Sequence, residues 1–93
     1  MFEWDEAKSR KNLRDRGFDF AFAARIFEQD VLEHEDARQD YGEQRIIALG
    51  EIEGEVFVVV YTWREPCRRI ISARRASRRE RNAYRQAFGQ RNS

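Results

Sequence analysis

The residues best able to do chemistry are the arginines near the end of the chain. Between Arg64 and Ser93 there are ten arginines, no lysine, and two acids, Glu65 and Glu80. From Met1 to Trp63 the balance reverses, with eight Lys and Arg against fifteen Asp and Glu. The two parts therefore carry +8 and −7 and leave a net charge of +1. Such asymmetry points to a polyanionic partner for one part. A guanidinium presents a planar fork of donors that meets phosphate or carboxylate two bonds at a time, which an ammonium cannot do. The densest run is Arg68-Arg69-Ile70-Ile71-Ser72-Ala73-Arg74-Arg75-Ala76-Ser77-Arg78-Arg79-Glu80-Arg81. Ser77 and Glu80 have the spacing of a capping box, so a helix starts there with Arg78, Arg79 and Arg81 in its first turn. Cations in that position oppose the helix dipole by about 0.3–1 kcal/mol each. An anion bound at the same helix end would explain them. Arg74 and Arg75 alternate on the preceding strand, so only one of them can share a cleft with Arg45. The plainer explanation is that Glu51, Glu53 and Glu55 neutralise these arginines. Exposed pairs contribute about 0–1 kcal/mol, too little to account for the clustering.

Other chemistry is narrowly bounded. A single histidine, His34, and a single cysteine, Cys67, exclude a multi-histidine or zinc–thiolate site. His34, between Glu33 and Glu35, reads as a solvated side chain rather than a base. Cys67 follows Pro66 in a turn without a histidine partner and reads as a bystander. Asp36, Asp40 and Glu43 sit close in sequence, but on a loop without metal-ligand spacing. No phosphate-cradling glycine motif exists among the five glycines. What remains is cleavage of a phosphodiester in RNA with neither metal nor cofactor. There the substrate's own 2′-OH is the nucleophile, and the protein need only position the strand, stabilise charge and move protons. Arg45 with Arg74 or Arg75 would clamp the scissile phosphate, and Arg78, Arg79 and Arg81 would hold its neighbours. Glu43 and Glu80 are the carboxylates available as base. Tyr61 or Tyr84 could donate a proton or simply fill the core.

The elements that must position these residues follow from periodicity. Phe2 to Trp4 suits a short edge strand. Asp5 is an N-cap, Gly17 a stop, and the helix between them is a surface helix whose apolar content is mostly Ala7 and Leu13. Asp19 caps a second helix with a core stripe of Phe20, Ala23, Ala24 and Phe27. From Val31 the period becomes two. Strands are expected over 31–35, 44–50, 55–63 and 68–75, with a loop over 36–42 and turns over 51–54 and 64–67. The strand over 55–63 is apolar on both faces and is the central one. A last helix runs from Ser77 to about Phe88, and 89–93 should fray. The predicted fold is one α+β domain over 1–93. It has two N-terminal helices, a four-stranded antiparallel twisted sheet with its helices on one face, and a C-terminal helix.

The 93 residues are enough for one compact core, to which twelve aromatics contribute much of the volume. The lone cysteine fits a reducing compartment. The start lacks the features of a signal peptide, and the longest apolar run, Val56 to Trp63, is too short to span a bilayer. A cytoplasmic protein without membrane contact is expected.

Several segments together resemble one family. They are Phe2-Glu3-Trp4-Asp5-Glu6-Ala7-Lys8, Asn12-Leu13-Arg14 before Gly17, Gly42-Glu43-Gln44-Arg45, and above all Ile70-Ile71-Ser72-Ala73-Arg74-Arg75-Ala76 with Arg78-Arg79-Glu80-Arg81. The chain is similar to BrnT toxins from Phe2 to about Phe88. The resemblance implies a RelE-like fold and a metal-independent endoribonuclease of a type II toxin–antitoxin pair, inhibiting translation and growth. It also implies neutralisation by a BrnA-like antitoxin encoded alongside, and a complex that binds its operator DNA through that antitoxin. Arg45, Arg74 and Arg75 are the motif positions it marks as functional. The chain departs from the family at Asp15-Arg16-Gly17, where members commonly carry Lys-His-Gly. That departure favours the rival reading of a non-catalytic nucleic-acid- or antitoxin-binding domain. A third reading is an obligate subunit whose arginines meet a partner's acids. On the leading reading, the antitoxin covers the arginine-rich face.

Overall fold

A computed structural model describes residues 1–37 and 42–89. Asp40 of the acidic trio and Arg91 at the chain end lie outside the described residues. β1 (Phe2–Trp4) leads into helix α1 (Glu6–Arg16). The Asp5 carboxylate accepts from the Ala7 and Lys8 amides at 2.9 and 3.3 Å. Gly17 ends the helix at φ 89°, a left-handed conformation that glycine adopts without penalty. α1 docks through polar residues rather than through the expected Leu13, which is 50% exposed. The buried Ser9 hydroxyl accepts from the Phe20 amide at 3.0 Å, and Asn12 donates to the Phe18 carbonyl at 2.8 Å.

α2 (Phe20–Ala23), capped by Asp19, tightens into a 3₁₀ turn over Ala24–Glu28. At three residues per turn, Phe20, Ala23 and Ile26 line up and are buried. Ile26 thus belongs to the core, while Phe27 is half-buried beside it.

The sheet corrects the prediction in three respects. Strands β2 (Leu32–Glu35), β3 (Ile46–Ile52), β4 (Glu55–Arg64) and β5 (Cys67–Arg75) form the expected antiparallel meander. However, β1 adds a fifth strand parallel to β5, giving a mixed sheet of order β1-β5-β4-β3-β2. A parallel neighbour cannot be reached through a tight turn, and here α1, α2 and β2 to β4 all lie between β1 and β5, with the helices carrying the chain from one edge of the sheet to the other. Second, β3 begins after Arg45 and continues past Gly50. The turn that follows shrinks to Glu53 and Gly54, at φ 52° and 84°. Two such residues make the hairpin whose twist matches its strands. Third, the helices do not share one face. α1 and α2 cover Phe57, Val59 and Tyr61, while α3 (Arg78–Phe88) covers Val56 and Val58 with Tyr84 and Phe88. A strand that is apolar on both sides needs cover on both. Val56 to Val59 and Tyr61 are each no more than 2% exposed, as expected of the central strand. Only Val60 within that run is half-buried.

One close approach makes a test. A Cβ on Gly50 would lie 2.5 Å from Ile26 Cβ and 3.3 Å from its Cα, so the 3₁₀ turn packs directly on the strand backbone. Gly50→Ala should destabilise the fold by about 1–3 kcal/mol, the scale of overpacking. Urea denaturation would show it as a lowered midpoint.

Candidate nucleic-acid interface

At the junction of β5 and α3 most arginines are already engaged. Both terminal nitrogens of Arg74 donate to Glu80, each at 2.8 Å. Glu80 Oε1 also accepts from the Ser77 amide at 2.8 Å, and Ser77 Oγ accepts from the Glu80 amide at 3.2 Å, completing the capping box. The Arg74 guanidinium, helped by the Ser77 amide, lowers the Glu80 carboxyl from 4.5 to about 2. At neutral pH that makes Glu80 a weak proton acceptor, suited to holding Arg74 in place.

Arg75 points to the opposite face, because the register pairs it with Phe57 and pairs Arg74 with Val58. Its Nε donates to Glu55 and its Nη1 to the Arg16 carbonyl, both at 2.8 Å. Its guanidinium carbon sits 5.1 Å from the Phe18 ring centroid. Arg75 therefore ties the end of α1 to the sheet. Arg81 donates to the Ala76 carbonyl at 3.1 Å and Arg85 to Glu51 at 3.0 Å. Arg25 meets Glu53 at 3.4 Å. Neutralisation of the C-terminal arginines is thus realised by Glu51 for Arg85 and by Glu55 for Arg75, whereas Glu53 pairs with Arg25, outside that cluster. Arg78 and Arg79 are exposed on the first turn of α3 and make no hydrogen bond or ion pair among the described residues.

A second group lies on the half of the sheet that α3 leaves uncovered. Strand register places His34, Ile47, Val60 and Ser72 in one row across β2 to β5. Alternation puts Arg45 on this same face, one residue beyond the Ile46–Tyr61 pair, beside Thr62 and Arg69. Glu43 lies between Arg45 Nε at 3.8 Å and Arg64 Nη2 at 3.9 Å. Arg69 meets Glu3 of β1 at 3.1 Å. Thr62 Oγ1 donates to the Gln44 carbonyl at 2.7 Å and anchors the segment that carries Glu43 and Arg45. Arg45 and Arg74 share this face but are separated by two strands and four residues. With strands about 4.8 Å apart and a rise of about 3.3 Å per residue, that is roughly 16 Å between their Cα atoms. The structure brings Glu43 together with Arg45, and Glu80 with Arg74, but does not gather Arg45, Arg74 and Arg75 around one point.

Tyr61 and Tyr84 belong to the core. Tyr61 donates to Glu33 at 2.6 Å, and burial with that carboxylate raises its pKa. Tyr84 donates to the Asp30 carbonyl at 3.1 Å. Asp15 and Arg16 are also committed. Lys11 hydrogen-bonds Asp15 and lowers its pKa, and Arg16 Nη1 donates to the Ala73 carbonyl at 2.8 Å. Among the described residues no three of His, Cys, Asp and Glu approach closely enough to hold a metal ion. Arg64, Arg69 and Glu3 join the Arg45 group only through strand register, which no local sequence signal revealed.

A mixed sheet whose Arg45 row carries arginines beside a carboxylate, flanked by exposed arginines on a helix, is the surface that this small α+β protein could offer to a polyanion. The chain belongs to the BrnT family, ribonuclease toxins of type II toxin–antitoxin systems, whose family model matches residues 4–80. No curated protein matches it. Membership establishes toxin function, with RNA as the substrate class and an antitoxin as partner. Among the described residues no helix is long and apolar enough to cross a membrane.

Because Glu80 is depressed to about 2, its contribution to stability is complete above its unfolded value near 4.5 and is lost as pH falls towards 2. The stability advantage of the unaltered chain over Glu80→Gln should therefore be full at pH 6 and vanish near pH 2. Thermal melts of both proteins across that range would show it.

Proposed function

We propose that this chain is a metal-independent endoribonuclease that cleaves RNA on the uncovered half of the sheet and so restrains translation and growth. The observation that carries the reading is the juxtaposition of Glu43, Arg45, Arg64 and Arg69 there, on a face that β3, β4 and β5 hold in register, with Thr62 of β4 as anchor. The bound strand supplies its own 2′-OH. Glu43 accepts the hydroxyl proton as oxygen attacks phosphorus, and Arg45 stabilises the charge that grows on the phosphorane oxygens. His34, which the sequence alone reads as a solvated side chain, stands diagonally across from Arg45, where such neighbours are about 7–8 Å apart. In its protonated form it donates its own proton to the departing 5′ oxygen, while Glu43 keeps the one taken from the 2′-OH. Arg78 and Arg79, with Arg81 beside them, hold phosphates further along the strand. Arg74 and Arg75 act as positioning residues, the first by fixing α3 on β5 and the second by fixing α1. A complex with the antitoxin that binds operator DNA through the antitoxin completes the reading.

The rival is a nucleic-acid- or antitoxin-binding domain without catalysis. It is favoured by the internal pairing of Arg74 and Arg75 and by Asp15-Arg16, which serve the fold. RNA bound but uncut by the unaltered chain would decide for it.

Cleavage should persist in EDTA and fall by about 10²–10³ in Arg45→Ala, the scale of one lost oxyanion donor. His34→Ala should lower it by about 10²–10⁴ with RNA affinity unchanged, as expected for a lost proton-transfer group. Single-turnover cleavage of a labelled RNA would measure both.

Replacing Arg78 and Arg79 together by Ala should leave the cleavage step intact and weaken binding. The slope of log affinity against log salt should become shallower by about 1.4, since each single-strand phosphate contact contributes about 0.7. A fluorescence-anisotropy salt titration would test it.

A further inference from the structure

On the other face of the sheet, a groove of about 440 Å³ runs between β1 and the segment from α2 through the 3₁₀ turn, walled by Phe2, Trp4, Ala21, Ala24, Phe27 and Arg68. Arg68 is unlike the other arginines of β5. Arg69, Arg74 and Arg75 each meet a carboxylate, whereas Arg68 makes no ion pair among the described residues. Its guanidinium carbon lies 4.4 Å from the Phe27 ring centroid, 4.7 Å from Trp63 and 5.3 Å from Tyr61. Its Nε is buried and has no hydrogen-bond partner. Glu33, which approaches the same aromatic cluster, accepts from Tyr61. Aromatic faces attract a cation, and the acceptor this cluster offers the Arg68 guanidinium is the Tyr61 hydroxyl, which is itself committed to Glu33. A half-buried guanidinium with an unpartnered Nε and no carboxylate of its own is a poor arrangement for the free protein and a good one for receiving an anion.

We propose that this groove is where the antitoxin docks, through a segment that places bulky apolar side chains against Phe2, Trp4 and Phe27 and a carboxylate on Arg68. The proposal rests on membership of a toxin–antitoxin family and deepens the partner reading. It moves the antitoxin from the arginine-rich face to the aromatic one. Two observations favour a protein over RNA as the occupant. The walls are aromatic and alanine, with small residues on α2 and the 3₁₀ turn that let a backbone approach. The charge is also sparse, because Arg25 is tied to Glu53, Glu28 lies on the rim, and Arg68 is the one β5 arginine on the wall, held by rings and the Tyr61 hydroxyl rather than by a carboxylate. A nucleic-acid strand brings a phosphate with every residue and would need several cations there.

Isothermal titration of the full chain with its antitoxin tests the docking, using Ala21→Arg, which fills the groove from an exposed position, and Arg68→Met, which keeps the stem and removes the charge. Each variant should weaken antitoxin binding roughly 30-fold or more, the scale of an interface anchor. RNA cleavage by the free toxin and the melting temperature should stay close to those of the unaltered chain. Unchanged antitoxin affinity in both variants overturns the proposal. Loss of RNA affinity with antitoxin affinity intact also overturns it and assigns the groove to nucleic acid. Absence of any complex with the unaltered chain overturns it together with the antitoxin partnership. An unaltered chain that cuts no RNA, while the variants still lose antitoxin, refutes the ribonuclease reading alone and leaves the docking site standing.

Discussion

Burial of β4 on both faces is the constraint from which the architecture follows. Phe57, Val59 and Tyr61 turn one way and Val56 and Val58 the other, and all five are sealed from water. Neither set can be covered by the strands alone, so α1 and α2 close one side and α3 the other. β3 and β5 must flank β4 to satisfy its backbone, since an unpaired buried amide or carbonyl would forfeit a hydrogen bond. The close contact of Ile26 with the Gly50 backbone belongs to the same requirement. It brings the 3₁₀ turn down onto β3 and shapes the floor on which the aromatic cluster is built.

Coverage by α3 is incomplete, and that incompleteness leaves room for the surface proposed to take RNA. The helix crosses the rows of Leu49 and Val58 and stops short of the rows of Val60 and Thr62, where Thr62 is buried and the half-exposed Arg45 and Arg69 flank it. Rigid strands therefore present Arg45 and Arg69 on a surface that a polyanion can reach. Among the described residues, several of the other arginines are spent on holding elements together. Arg74 secures the start of α3, Arg75 the end of α1, and Arg85 the β3–β4 hairpin. A guanidinium suits both kinds of task for the same reason, its fixed fork of donors. Its partner decides which task a given arginine performs.

The two faces of the sheet thus differ in chemistry. One offers charge on an open polar floor, and the other a groove of rings around a single cation. Substrate and antitoxin can be recognised by different physics on such a molecule, the first by many weak phosphate contacts and the second by apolar fit around one half-buried charge.

The caps at Asp5, Asp19 and Ser77, the stop at Gly17, the antiparallel meander and the two-sided central strand were legible in the residues themselves. They depend on local hydrogen bonding and on the period of the apolar pattern, which neighbouring positions determine. The opposite facing of Arg74 and Arg75 was legible for the same reason, since alternation is a property of any strand. Other features required the tertiary structure. The parallel seat of β1 beside β5, the division of the helices between two faces and the polar docking of α1 depend on contacts between distant segments. So does the fate of each arginine. Glu80 looked like a base until Arg74 was seen to hold it, and Glu43 and Arg45 gained Arg64 and Arg69 only through the pairing of β3, β4 and β5. Charge and residue type are written along the chain, but which charges meet is decided by register and by which face each strand turns outward.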